Sequence, residues 1–488
     1  MTLDQLLAPL HIEAPNIALT GIELDSRKVK PGHVFVALVG HQLDGRQFIP
    51  QAKQNGAVAV LTQTLVPELD GVVEADAVPQ IHIHSLNEKL AALADDFYHT
   101  PSQKLHMIGV TGTNGKTSVC QFIRALSESD TAQLGTLGWF YRQQSQTLIN
   151  TTPDALLLQS LLAKSLTSGA TQVAMEVSSH ALEQHRVAQI AFDTAIFTNL
   201  SRDHLDYHPD MASYLAAKEK LFFMPGVSTA IINTDDEAGY ALAQKLQGRL
   251  KVIGYGRDVR CSEFDAHCQW RAQALPQGLQ LSLSGALEAQ LEVPLYGEFN
   301  GANLVAALLA LYNANPDAAE QYLSAAQSLT PVPGRMEAFA SSHGQLVVDY
   351  AHTPDALEKA LQSLRLHCKG QLYCVFGCGG DRDKGKRPLM GEIAQTHADH
   401  ILITNDNPRT EDPAQIAEDI LTGLASKEQA QVVLERKEAI RRALETSQPG
   451  DIVLIAGKGH ETYQEIQQQR IPYDERNYIM QLIQGETA

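Results

Sequence analysis

Apolar residues along the chain fall in short runs divided by polar, glycine or proline turns, and their spacing predicts the elements. The runs HVFVALVG (33–40) and AVAVLT (57–62) read as buried strands, and NEKLAALADDFY (87–98) as a helix. That helix breaks at His99-Thr100-Pro101-Ser102, because proline disfavours helix before it. A second block opens with the strand LHMIGVTG (105–112). Strands are predicted at 171–179, 192–200, 228–235 and 251–256, and helices at 153–169, 211–223 and 238–247. Such alternation calls for a parallel sheet flanked by helices. The stretch 279–295 alternates every second residue and predicts an antiparallel hairpin, and 301–315 returns to helix. After the break PVPGR (331–335), strands (347–351, 372–379, 400–406, 432–435, 451–459) and helices (355–367, 388–398, 413–424, 437–447) follow in strict turn. That is the order of a doubly wound sheet, in which ligands sit beyond the carboxyl ends of the strands, here after Asp349, Gly377, Asp406 and Gly457. The expectation is an α/β protein of three domains: 1–100, small and N-terminal; 101–332, central with a mostly parallel sheet; and 333–488, doubly wound and Rossmann-like.

Composition narrows the function. The chain has 488 residues, enough for about three domains. It carries 38 basic and 56 acidic side chains, a net charge of −18. So acidic a chain lacks the long-range positive field that nucleic acid and anionic membranes require. No apolar run approaches the roughly 18 residues of a membrane span, and the N-terminus has no basic segment with a long apolar core, so no signal peptide is expected. The six cysteines form no C-x-x-C pair and fit reduced thiols in a cytoplasmic protein.

The sharpest local signal is Thr111-Gly112-Thr113-Asn114-Gly115-Lys116-Thr117-Ser118, between a predicted strand and a predicted helix. Glycines there let backbone N–H groups wrap a phosphate, and the helix N-terminus favours the anion. Lys116 would reach the β/γ-phosphates and the Thr117 hydroxyl would hold magnesium. The common phosphate-loop pattern would place glycine at 110, where Val110 stands. The variant T-G-T-N-G-K-T resembles the ATP loop of the Mur ligase family, which also includes folylpolyglutamate synthetase and joins an amine to a carboxylate at the expense of ATP.

That resemblance assigns roles across the chain. Gly112 to Ser118 would bind ATP, with Asn300 and Asn303 of FNGAN at the adenine, Arg335 near ribose and phosphate, and Asp349 and His352 closing from the third domain. Glu176, at the end of the strand VAMEV, would ligate Mg2+ with Thr117. N-L-S-R-D-H-L-D resembles the family segment whose histidine, here His204, is a ligand of a second magnesium. Lys218 in YLAAKEK matches a lysine that the family carries as a carbamate, with Lys220 the local competitor. A desolvated, neutral amine reacts with carbon dioxide to give an anionic ligand. Lys116, His204 and Lys218 would be the catalytic residues.

For the acceptor, Leu24, Ser26 and the loop His41-Gln42-Leu43 resemble the segments that hold the UDP part of a UDP-MurNAc-dipeptide. Asn150, Thr151, Thr152, Ser178, Gln184 and Arg186 would hold its sugar-peptide. The stretch 150–154 also reads as a helix cap with proline at the helix start. Asp406-Asn407-Pro408-Arg409 reads locally as a proline turn. In the family, D-N-P-R marks addition of meso-2,6-diaminopimelate rather than L-lysine. Arg409 would take the distal carboxylate, and an Arg409 left unmatched would disfavour lysine. Arg382, Gly457 and Glu461 match further positions of that amino-acid site. The resemblance therefore implies a cytoplasmic, monomeric, ATP- and Mg2+-dependent ligase of peptidoglycan precursor synthesis. It would act on UDP-MurNAc-L-Ala-D-Glu and meso-diaminopimelate, with no nucleic-acid or membrane partner. A related ligase with another acceptor and a phosphate-loop switch protein are the competing readings.

Overall fold

The computed structural model describes residues 1–40, 43–127, 130–275 and 277–486. The chain forms two compact units, Met1–Gly109 with Ser129–Ala195 and Lys220–Val227, and Val110–Glu128 with Ile196–Glu219 and Ser228–Ala488. No helix among the described residues is long and apolar enough to cross a membrane.

The first unit begins with a five-stranded sheet in the order Gly21–Glu23, His33–Ala37, Ala59–Thr64, Gln80–His84, Val73–Glu74. All pairings are parallel except the last. Successive side chains of a strand point to opposite faces, which explains the unbroken apolar runs. Val34, Val36 and Leu61 pack towards Leu90, Leu93 and Ala94 of the helix Leu86–Phe97, while Phe35, Ala37 and Val60 pack with Ala52 of the helix Ile49–Gln54. Further along the same unit, Gln172–Glu176 lies parallel to Thr131–Gly135. The strands Gly138–Tyr141 and Gln144–Gln146 then fold back antiparallel. The helix Ala155–Thr167 is capped by Asp154, which accepts from the N–H groups of Leu156 and Leu157. Pro153 precedes the cap instead of opening the helix.

In the second unit, Thr229–Asn233, Lys251–Gly256 and Ala266–Leu275 run parallel. The predicted hairpin is the end of a three-stranded antiparallel meander, Ala266–Leu275, Gly278–Gly285 and Ala289–Val293. Its first strand escaped notice because three of its inward positions carry only alanine. The predicted helix 211–223 is an α-helix only over Met211–Glu219 and tightens to a 3-10 turn at Lys220–Phe223.

Beyond residue 333 the sheet order is Glu337–Ala340, Gln345–Asp349, Ile452–Ala456, Leu372–Phe376, His400–Ile403, Ala430–Val432. Every pairing is parallel except that of the first strand, an added edge. Helices Pro354–Arg365, Lys386–His397 and Pro413–Leu421 cover one face, and Arg436–Thr446 with Glu475–Glu486 the other. The doubly wound expectation holds. The small hairpin Tyr463–Ile466/Gln469–Pro472 and the last helix were not anticipated.

Under this sheet's ligand edge lies a fully buried ion pair. Arg436 Nε donates to Glu475 Oε2 at 2.5 Å, and its Nη atoms donate to the carbonyls of Asn405 at 3.1 Å and Ala456 at 2.9 Å. One side chain thus ties together the ends of two strands whose loops carry the candidate chemistry. Removing one partner strands the other charge in the core. Glu475→Gln is expected to cost about 3–5 kcal/mol, read as a lowered urea-unfolding midpoint.

Candidate active site

The phosphate loop joins the strand His106–Thr111 to the helix Lys116–Leu126. Gly112 has φ 142° and Gly115 φ 89°, conformations that L side chains rarely adopt. A Cβ on Gly112 would lie 1.9 Å from Thr198 Oγ1, and one on Gly115 2.4 Å from Asn303 Oδ1. The loop is clamped by the segment 198–201. Thr113 N donates to Asn199 O at 2.9 Å, Asn114 N to Asn199 Oδ1 at 3.0 Å, and Thr198 Oγ1 to Asn114 O at 2.6 Å. Lys116 Nζ donates to the carbonyls of Gly112 and Thr113, both at 2.8 Å, folded over its own loop. Thr117 and Ser118 are buried in the first turn of the helix.

The clamp continues into Asp203 and His204. His204 adopts φ 55°, and its N–H donates to Asp203 Oδ1 at 2.9 Å. Burial alone would raise the Asp203 carboxyl. The charges of His204, His352 and Lys386 outweigh it and hold Asp203 below the usual carboxylate range. Lys218, on Met211–Glu219, is buried with its Nζ 2.8 Å from Gly112 O and 4.2 Å from the centre of the Tyr214 ring. Burial, then the charge of Lys116, hold its ammonium far below the ordinary lysine range, against the pull of Asp203. The Lys218 amine thus gives up its proton more readily than an ordinary lysine, and His204 packs edge-on against the same Tyr214 ring. Lys220 lies in the other unit, ion-paired with Glu183 at 2.8 Å.

Asn300 and Asn303 are buried on the helix Glu298–Ala314 and bonded to each other at 3.4 Å, with Asn303 against Gly115. Arg335 lies over the Tyr350 ring and donates to Thr117 Oγ1 at 3.5 Å. Asp349 accepts from the N–H groups of Met336 and Ala351, both at 2.8 Å. Its two oxygens thus brace the turn that carries Arg335. Burial raises its carboxyl despite Arg335 and the backbone donors. His352 is bonded to the Tyr350 carbonyl at 2.8 Å.

In the loops beyond the doubly wound sheet, Asp406, Asn407, Gly457 and Glu461 meet around Lys458, a residue the sequence reading passed over. Lys458 is fully buried, its Nζ 2.9 Å from Asn407 Oδ1, 2.7 Å from Glu461 Oε2 and 3.6 Å from Asp406 Oδ1. Asn407 Nδ2 donates to Glu461 Oε2 at 2.9 Å. A Cβ on Gly457 would meet Asp406 Oδ2 at 2.6 Å, so only glycine fits. Pro408 is buried in the turn, and Arg409 donates through Nη1 to Gly380 O at 2.8 Å. Glu465 Oε2 faces Arg409 Nε at 3.1 Å. Arg382 is exposed and donates to Asp381 O at 3.3 Å. The signal for Lys458, a lysine between two strand-end glycines, is too common to single out.

The residues expected to hold the acceptor lie in the first unit. Leu24, Ser26 and Leu43 line one cleft of about 480 Å³ with Asp25, Arg27, Gln51, Tyr98 and Asp154. Ser26 Oγ donates to Gln51 Oε1 at 2.7 Å. His41 and Gln42 lie outside the described residues. A second cluster joins Thr151, Thr152, Glu176, Ser178, Gln184 and Arg186. Thr152 Oγ1 donates to Glu176 O at 2.8 Å, and Arg186 donates to Thr152 O at 2.8 Å and to Gln184 Oε1. Glu176 accepts from Thr136 N at 2.7 Å and Thr136 Oγ1 at 3.1 Å. Thr151 Oγ1 lies 3.1 Å from Thr136 Oγ1, and Ser178 caps the short helix after it. Asn150 is exposed at the edge of this group.

Among the described residues no three His, Cys, Asp or Glu side chains group as a metal site. Magnesium needs only one or two protein ligands when phosphates complete its shell, and the buried Thr117 hydroxyl in the first turn after the loop is an oxygen donor that fits that demand. Gly112→Ala is expected to weaken ATP binding at least about tenfold by displacing the Thr198 clamp, measured by calorimetric titration.

Residues 18–98 match the Mur ligase family catalytic domain, 110–311 the Mur ligase middle domain and 334–459 the Mur ligase glutamate ligase domain. A curated relative from Vibrio vulnificus (strain YJ016), named UDP-N-acetylmuramoyl-L-alanyl-D-glutamate--2,6-diaminopimelate ligase, is 45% identical over 492 residues. The match covers 99% of this chain and 98% of that protein. A solved structure of a ligase with the same name is 35% identical, with a TM-score of 0.68 over 100% of this chain and 99% of that one. The MurF ligase of Thermotoga maritima in complex with ADP shares the fold at 18% identity, with a TM-score of 0.66 over 95% of this chain and 97% of that one. The clamped phosphate loop, the doubly wound sheet and the end-to-end likeness agree: the chain belongs to the Mur ligase family.

Proposed function

We propose that the chain is the ATP-dependent ligase that joins meso-2,6-diaminopimelate to the D-glutamate γ-carboxylate of UDP-MurNAc-L-alanyl-D-glutamate, acting as a cytoplasmic monomer. The observation that carries this reading is the D-N-P-R loop, held with Arg409 over Gly380. It stands in a chain 45% identical along its length to a ligase named for that reaction. Residues 1–100 would hold the UDP part, 101–332 ATP, and 333–488 the amino acid. Family membership removes the phosphate-loop switch, and the D-N-P-R loop argues against another acceptor.

The reaction needs no protein nucleophile. The γ-carboxylate attacks the γ-phosphorus of ATP, ADP leaves, and an acyl phosphate results. The amine then attacks the acyl carbon, and phosphate leaves as the amide forms. Lys116 exchanges the two carbonyls it holds in this structure for β/γ-phosphate oxygens, and the loop N–H groups face the same charge. Thr117, His204 and Lys218 as its carbamate would hold magnesium, and Glu176 is a further proposed ligand. The bound ions would supply charge neutralisation at the transferring phosphoryl group. The burial that lowers the proton affinity of Lys218 supports the carbamate, since only the free amine adds carbon dioxide. Arg409 and Arg382 orient the amino acid through its carboxylates, leaving the reacting amine to face the acyl carbon.

Lys218→Ala is expected to lower turnover on the order of 100-fold or more. Added short-chain carboxylates should restore part of it, and unchanged turnover would remove Lys218 from the machinery. Arg409→Ala is expected to lower kcat/KM for meso-diaminopimelate about 100-fold while the KM for ATP stays within about twofold. An unaltered preference for diaminopimelate over lysine would contradict the amino-acid assignment.

A further inference from the structure

The hairpin Tyr463–Ile466/Gln469–Pro472 carries none of the motifs found in the sequence, yet its first strand is laced to the D-N-P-R loop. Glu465 N donates to Asn407 Oδ1 at 2.9 Å, and Gln464 Nε2 to Asp406 O at 3.2 Å. Arg409 N donates to Glu465 O at 2.9 Å, and Gln467 N to Arg409 O at 2.7 Å. Arg409 sits in this lacing with φ 51°, in the left-handed region. The same bonds bring Glu465 Oε2 to 3.1 Å from Arg409 Nε, with both side chains partly open to solvent.

Resting on the function proposed above, we infer that Glu465 determines specificity in the amino-acid site by accepting the distal ammonium of a 2,6-diamino diacid while Arg409 takes its distal carboxylate. The distal centre of such a substrate carries both charges on one carbon. A site that selects it must offer a cation and an anion side by side. Arg409 and Glu465 are such a pair. Arg409 gives Nη1 to Gly380 O and faces Glu465 with Nε. Asp406 and Glu461 face the buried Lys458, Glu411 is paired with Lys384 and Arg387, and Asp381 accepts from Thr410. Glu465 is the acid of these loops that faces Arg409.

The pair also rejects the wrong amino acids. L-Lysine has the distal ammonium but no distal carboxylate, and leaves Arg409 without its ligand. L-2-Aminopimelate, a diacid without the distal amine, leaves Glu465 without one. Each mismatch desolvates a charge for no return, which is how a polar site discriminates.

The test compares kcat/KM for meso-diaminopimelate and L-2-aminopimelate in the full-length enzyme, with ATP and UDP-MurNAc-dipeptide saturating. Glu465→Gln keeps the size of the side chain and removes its charge. The expected result is a fall of at least about tenfold in the preference for meso-diaminopimelate, with the KM for ATP unmoved. Glu465→Asp keeps the charge and is expected to hold the preference within about threefold of wild type. A role limited to bracing the hairpin would slow both amines by one factor, so an unchanged ratio in Glu465→Gln would overturn the inference alone. A wild-type enzyme that does not turn over meso-diaminopimelate would overturn the functional reading beneath it, and this inference with it. A Glu465→Asp variant that loses the preference as Glu465→Gln does would also count against the charge.

Discussion

The candidate chemistry is organised by one steric limit: at Gly112 there is room for a hydrogen and nothing larger. Thr198 stands where a Cβ would be, and this close approach lets the 198–201 segment close on the phosphate loop through backbone and side-chain bonds. The chain then runs directly into Asp203 and His204, and the helix that follows returns Lys218 to the Gly112 carbonyl. Three candidate groups spread over more than a hundred residues of sequence thus share one loop. Their charges are coupled as well. Burial, and then the charge of Lys116 beside it, lower the proton affinity of Lys218, while its basic neighbours hold Asp203 below the usual carboxylate range.

The proposed amino-acid end uses a different device. Its loops are short, polar and joined by charges that are themselves buried. Arg436 holds the ends of two strands from below, and Lys458 gathers Asn407 and Glu461 at the loops. Buried charges of this kind are poor sources of net stability. Their value here is geometric. They fix carbonyls and carboxylates that solvent would otherwise move, and a site proposed to read two charges on one carbon would depend on such fixity. The Arg409–Glu465 pair stands at the open end of this network.

Much of this was legible in the chain, for physical reasons that differ by region. Strands of the doubly wound sheet are covered on both faces, so Leu372–Phe376 and Ile452–Ala456 read as unbroken apolar runs. The phosphate loop was legible because glycines, lysine and threonine must stand at fixed spacing to wrap an anion. The hairpin after Thr462 was not, because YQEIQQQRIP is mostly polar and its strands pair at the surface, where no core face imposes alternation. Nor was the pairing of Arg409 with Glu465 or of Arg436 with Glu475. Such pairs are set by topology, and nothing local in either partner announces the other. Asp349 was marked by its motif, and what the motif did not announce is that each of its oxygens accepts from a backbone N–H group.

The central claim is that phosphate-loop chemistry in this chain is coupled to one amino acid. The most direct measurement is phosphate release from ATP by the purified protein with magnesium and UDP-MurNAc-L-alanyl-D-glutamate, in parallel with meso-diaminopimelate, with L-lysine and with no amine. The account predicts sustained release only with meso-diaminopimelate. Equal release in all three would contradict it, and release with lysine would mean that the D-N-P-R loop selects a different side chain.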